Sequence, residues 1–114
     1  MLTLDKLRDF GADISDGMGR CLNNEDMYIR LVNMALADKS FAALDEALEN
    51  DDIKAAFEAA HSLKGITGNL ALTPLFKPVS ELTELLRPGQ KTDCGSLPEE
   101  IRQQYKKLKE LAED

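Results

Sequence analysis

Tryptophan is missing from this 114-residue sequence, aromatic residues together make up 5 %, and there is a single histidine. A core so poor in rings has to be filled by Leu, Ala, Ile, Val and Met, which helix-on-helix packing accommodates readily. Only two cysteines occur, Cys21 and Cys94. They lie far apart and lack the closely spaced pairs of a zinc site. Long apolar runs are absent as well. The opening segment MLTLDKLRDFGAD contains no uninterrupted apolar stretch, and nothing later is long enough to span a bilayer. The expectation is a cytoplasmic protein with reduced thiols and no membrane partner. There is also no run of Lys or Arg, and the formal net charge is −7. A field of that sign repels phosphate backbones, so nucleic acid is not an expected partner.

What is present is enough for a folded core. Apolar residues account for 43 % and charged ones for 31 %, a balance unlike that of disordered chains. The length fits one compact domain spanning residues 1–114. No internal repeat or low-complexity tract interrupts it.

Helical periodicity dominates, and no stretch alternates convincingly with period two. A short helix over Leu4 to Phe10 should end at Gly11, and a second turn follows around Ile14 to Leu22. The segment NNEDMYIRLVNMALAD offers an Asn cap, acidic residues in its first turn, and apolar positions Tyr28, Leu31, Val32, Ala35 and Leu36. Ser40 can cap the next helix, with Phe41, Leu44 and Leu48 inward. Asp51 or Asp52 opens the helix that holds the histidine. Its inward stripe is Ile53, Ala56, Ala60, Leu63, Thr67 and Leu70.

A further helix carries Leu75, Val79, Leu82 and Leu86 on one side. Thr73-Pro74 is a good start for it, but Pro78 lacks the N–H needed a turn later. The expectation there is a kink or a true start near Pro78. RPGQKTDCGSLP reads as a connecting loop. From Leu97 the chain is helical again, with Ile101, Tyr105, Leu108 and Leu111 or Ala112 inward. The predicted fold is all-α, a four-helix bundle with short additional N-terminal helices.

The stretch AAHSLKGITGNL, residues 59–70, carries the chemistry. At about 100° per residue, His61 points roughly opposite Leu63 and away from the inward stripe. Lys64, Gly65 and Gly68 share the outward face, and Phe57 lies one turn before. Two glycines in a helix interior forgo about 2 kcal/mol relative to alanine, a noticeable fraction of a small domain's stability. Such a loss is tolerated where something must approach the backbone closely, or where a helix ends. A helix terminus within GITGN, with Gly68 or Asn69 left-handed, is the competing explanation. It accounts less well for Gly65, because Ile66, Thr67 and Leu70 continue the stripe.

A neutral imidazole is a competent nucleophile at neutral pH, and a neighbouring ammonium favours an anion placed on its nitrogen. Two glycines would let another protein's active site descend over it, and Phe57 would add docking surface. Lys54 and Glu58 are further docking candidates by spacing alone. This face reads as a phosphoryl acceptor presented to a partner.

Ala60, His61, Leu63, Lys64, Gly65, Gly68, Asn69 and Leu70 match, in register, the pattern A-H-x-L-K-G followed by small residues, a glycine and N-L. The sequence thereby resembles the histidine-containing phosphotransfer (HPt) domains of bacterial multistep phosphorelays. The resemblance implies that His61 carries the phosphoryl group on its outer ring nitrogen. It implies that Lys64 neutralises the phosphoryl charge, that Gly65 makes room for the partner, and that Gly68 thins the same face. The implied partners are response-regulator receiver domains or a hybrid histidine kinase. The receiver would supply the aspartate and the Mg²⁺, so this chain would need no metal, cofactor or nucleotide of its own. Departures from the pattern are Thr67, Ala71 in place of a glycine that often follows N-L, and Pro78.

The sequence has no ATP-cradling glycine-rich loop, so an independent enzyme is not expected; the expectation is a free-standing phosphocarrier able to work as a monomer. Alternatives are the phosphoacceptor module of a chemotaxis-type histidine kinase and a helical docking domain without phosphorylation. Glu58 and His61 spell one E-x-x-H, whereas a di-metal bundle needs two plus further carboxylates. No metal site is expected.

Overall fold

In a computed structural model that describes residues 1–114, the chain forms seven helices and no strands. They are α1 (Leu4–Phe10), α2 (Ile14–Arg20), α3 (Glu25–Leu36), α4 (Ser40–Glu49), α5 (Ile53–Asn69), α6 (Thr73–Leu86) and α7 (Leu97–Glu113). The last four make the bundle. α5 lies between α4 and α6, and α6 packs on α7. The bundle closes where Phe41 of α4 meets Tyr105 of α7, ring centroids 4.2 Å apart. The shorter α1 and α2 pack on each other and α2 on α3, while α1 and α3 also lie against α7.

Local chemistry explains most boundaries. Thr3, Asp13, Asn24 and Asp52 each accept a first-turn backbone N–H, which satisfies a donor the helix itself leaves orphaned. Of the two candidate aspartates before α5, Asp52 is the cap, and Asp51 is left-handed at φ 54°. α2 stops at Arg20, ahead of Leu22 and Asn23, both at positive φ.

Ser40 does not cap α4. It is the first helical residue, its N–H donates to Asp38 Oδ1 at 2.8 Å, and its hydroxyl lies 3.4 Å from that of Ser62 on α5. Nor does α6 start at Pro78. Phe76 N–H already donates to Leu72 O at 2.9 Å, and the helix runs through Pro78. Pro78 forgoes one hydrogen bond near the helix start, and its buried ring packs in the interior instead.

The inward stripes are as the spacing predicts. Leu75, Val79, Leu82 and Leu86 are fully buried, as are Ala56, Ala60, Leu63 and Thr67. Thr67 and Thr83 are tolerated inside because each hydroxyl donates to the carbonyl four residues earlier, Leu63 O and Val79 O. The buried residues from Leu2 to Leu108 form one continuous core, so the N-terminal helices share it with the bundle.

The end of α5 corrects an expectation. Gly68 and Asn69 remain helical, and the left-handed residue is Ala71, at φ 54°. Leu72 N–H donates to Thr67 O and Ala71 N–H to Gly68 O, the paired bonds of a Schellman terminus. The N-terminal segment grips this turn. Asp13 N–H donates to Ala71 O at 2.9 Å, and the buried Tyr28 hydroxyl donates to Leu70 O at 2.8 Å. Gly17 is required beside Tyr28, since a Cβ there would sit 2.5 Å from the ring.

Candidate functional site

α5 presents His61 at mid-helix, exposed to solvent, because Ala60 and Leu63 on either side are drawn into the core. Phe57, one turn earlier, is half-buried and stacks on the imidazole with centroids 5.6 Å apart and planes 19° from parallel. The ring expected to add docking surface therefore also supports the histidine. Lys64, one turn later, is partly covered and reaches toward α6, its Nζ 3.7 Å from Glu84 Oε2.

The two glycines differ. A Cβ on Gly65 would meet nothing within 4 Å, so that position opens straight to solvent. A Cβ on Gly68 would come within 3.0 Å of the Phe76 ring. Gly68 is bare so that Phe76 of α6 can lie against α5. Its contribution to the face is internal packing, whereas Gly65 leaves a gap.

Residues distant in sequence complete the surroundings. Arg87, just past α6, places its guanidinium 5.2 Å from the Phe57 centroid. It also donates to both carboxylate oxygens of Glu84, at 3.2 and 2.8 Å. These hydrogen bonds hold the Glu84 carboxyl below the usual carboxylate range, with Lys64 adding to the effect, and they raise Arg87 in turn. On the other side, α2 contributes Arg20, bonded to Asp16 at 3.1 Å and reaching Asn69 at 3.4 Å. Between α2 and α5 runs a groove of about 520 Å³ whose lining includes Asp13, Arg20, His61, Lys64 and Phe76. Glu84, Arg87 and Arg20 were not among the residues expected from sequence. Arg20 lies forty-one residues from His61, and the only local hint of the others is the i,i+3 spacing of Glu84 and Arg87. Lys54 and Glu58 are exposed on α5.

An exposed imidazole at mid-helix, a cation one turn away and an open backbone position beside both can receive an anionic group from an approaching surface. A match to the Hpt domain family covers residues 34–111. The chain belongs to the Hpt domain family. Hpt domains are the helical histidine-phosphotransfer modules of phosphorelays, phosphocarriers that work with receiver and kinase domains. The matched span of this Hpt domain starts near the end of α3 and takes in α4 to α6 and most of α7, His61 included. No curated protein and no solved structure matches the chain. No three or more His, Cys, Asp or Glu side chains gather as a metal site would require, and no helix is long and apolar enough to cross a membrane.

Proposed function

We infer that this Hpt domain, acting as one unit over residues 1–114, carries a phosphoryl group on His61 between receiver-domain aspartates. The observation that supports this most directly is the setting of His61, exposed and stacked on Phe57, with Lys64 one turn on and empty space over Gly65. In the forward step the outer ring nitrogen attacks the phosphorus of an aspartyl phosphate. The P–O bond breaks, an N–P bond forms, the aspartate returns as a carboxylate, and the imidazole releases its ring proton to solvent. Both linkages are energy-rich, so the exchange runs in either direction.

Lys64 supplies the positive charge that the phosphoryl oxygens require. Gly65 and Phe57 face the partner, and Gly68 shapes the same surface by admitting Phe76. Mg²⁺ belongs to the partner receiver. The protein works in the cytoplasm, as a monomer able to expose His61.

The test is incubation with a phosphorylated receiver domain and Mg²⁺, beside a His61→Gln control. Acid-labile, base-stable label on the wild type alone is the expected result. No label from a panel of receivers, followed by label from a chemotaxis-type kinase core with ATP, would assign the domain to such a kinase. No label from either would leave a docking domain.

A further inference from the structure

Glu84 stands out because one of its oxygens faces two cations. Oε2 accepts from Arg87 at 2.8 Å and lies 3.7 Å from Lys64 Nζ. The Arg87 contact is part of a two-point hydrogen bond. The Lys64 contact exceeds hydrogen-bond length, so the ammonium is attracted without being locked. Lys64 is also the cation one helical turn from His61. Arg87 is engaged a second time, over Phe57, and has less freedom to leave.

We propose that Glu84 is a positioning residue for phosphoryl transfer, an internal counter-ion that holds Lys64 on the α6 side and gives it up when a phosphoryl group arrives at His61. The inference rests on His61 as the phosphorylated residue. A carboxylate carries one negative charge and a phosphoryl group nearly two, so the incoming group outcompetes Glu84 for the ammonium. Arg87 stays with Glu84, which prevents the vacated carboxylate from repelling the new anion at full strength. Until then Glu84 competes with adventitious anions for Lys64, and each phosphorylation must draw the ammonium from it. Glu84 therefore slows loading in proportion to its hold on Lys64. Exposed ion pairs of this kind are worth about a two- to fivefold change in an equilibrium.

Phosphoramidate tests this without any partner protein. Its P–N bond breaks as the His61 ring nitrogen forms a new one, and ammonia departs with the proton the imidazole sheds. Labelling rates would be followed by ³¹P NMR for wild type, Glu84→Gln, Lys64→Gln, the double variant and Arg87→Ala. Glu84→Gln should label about two- to fivefold faster, and Lys64→Gln more slowly than wild type. In the Lys64→Gln background the gain from Glu84→Gln should largely vanish. A ¹⁵N-detected Lys64 ammonium signal should shift on phosphorylation in wild type, and already lie toward the shifted position in unphosphorylated Glu84→Gln.

Equal acceleration in both lysine backgrounds would overturn the proposal, since the carboxylate would then act through its charge alone. So would an Arg87→Ala variant that reproduces the whole Glu84→Gln gain, which would place the effect in the Arg87–Phe57 stack. Labelling that requires His61 but ignores Glu84 would refute the counter-ion while leaving the phosphocarrier reading intact. No labelling of His61 in any variant would remove the basis of both.

Discussion

Two aromatic pairs in this Hpt domain, one tilted at 39° and one stacked at 19°, each have a cation beside them and are put to different uses. On one, Phe41 meets Tyr105 and Lys109 lies 5.8 Å from the Tyr105 centroid. On the other, Phe57 meets His61 and Arg87 lies 5.2 Å from the Phe57 centroid. The first is closed: Phe41 is buried, and the Tyr105 hydroxyl donates to Leu36 O at 2.7 Å, fastening α7 to the end of α3. The second is open, since its polar ring is the solvent-exposed member. A ring-on-ring contact with a cation beside it joins helices in one place and supports an exposed imidazole in the other. The difference lies in whether the polar tip is already bonded.

The sharpest way to break this comparison is to remove each polar tip in turn. His61→Gln should abolish all phosphoryl labelling with no loss of fold. Tyr105→Phe should leave labelling intact while lowering stability by about 1 kcal/mol for the lost hydrogen bond, read by denaturant unfolding. Labelling that survives His61→Gln would end the distinction.

Next in size is the space above the open stack. Gly65→Gln raises a side chain into a position that now meets nothing within 4 Å. The melting temperature should rise slightly, since Gln is a better helix former than Gly, but transfer from a phosphorylated receiver should fall about 100-fold, the scale of loss for a displacement of about 1 Å between reacting groups. Labelling by a small phosphodonor should be nearly unaffected, which separates blocked docking from lost chemistry.

Tyr28 supplies a second closed tip, at the end of the histidine helix. Burial, with Cys21, Asp13 and Asp16 adding negative charge nearby, pushes its phenol up to about 12. A raised acid favours the protonated form in the folded state. Its stabilisation is complete below pH 10 and drains away as pH climbs from 10 to about 12. Tyr28→Phe should remove that alkaline step. It should also cost about 1–3 kcal/mol near neutrality, because Leu70 O loses its buried donor. Unfolding free energy measured against pH for both proteins is the check.

The smallest effects concern helix α5 itself. Gly65→Ala should stabilise by about 1 kcal/mol from helix propensity, while Gly68→Ala should fall short of that gain because its methyl presses on Phe76. Ala71→Gly should raise stability by up to about 1 kcal/mol, relieving a left-handed alanine. Thermal unfolding of the three variants side by side would rank them.

Those helix residues also mark how far the sequence could be read. Spacing alone identified the buried stripe of α5 and the outward face shared by His61, Lys64, Gly65 and Gly68, because both follow from one helix's geometry. It could not tell Gly65 from Gly68, since the distinction depends on a ring arriving from α6. Pro78 suggested a break because the rule concerns the missing N–H, whereas the burial of the ring depends on neighbours. GITGN offered Gly68 or Asn69 as the left-handed end of the helix, and neither was used. Alanine took the left-handed position because Asp13 and Tyr28 hold that turn from outside. Glu84, Arg87 and Arg20 were illegible for the same reason: proximity to His61 is created only by packing.

The grip of the N-terminal helices on that turn has a consequence for modularity. The recognisable family unit starts at residue 34, yet Asp13, Gly17 and Tyr28 all lie before it. A chimaera cut at the recognisable boundary would keep every residue of the proposed phosphoryl chemistry and discard what braces the last turn of the histidine helix. For anyone grafting this domain into another signalling protein, a piece that keeps this turn braced has to start no later than Asp13.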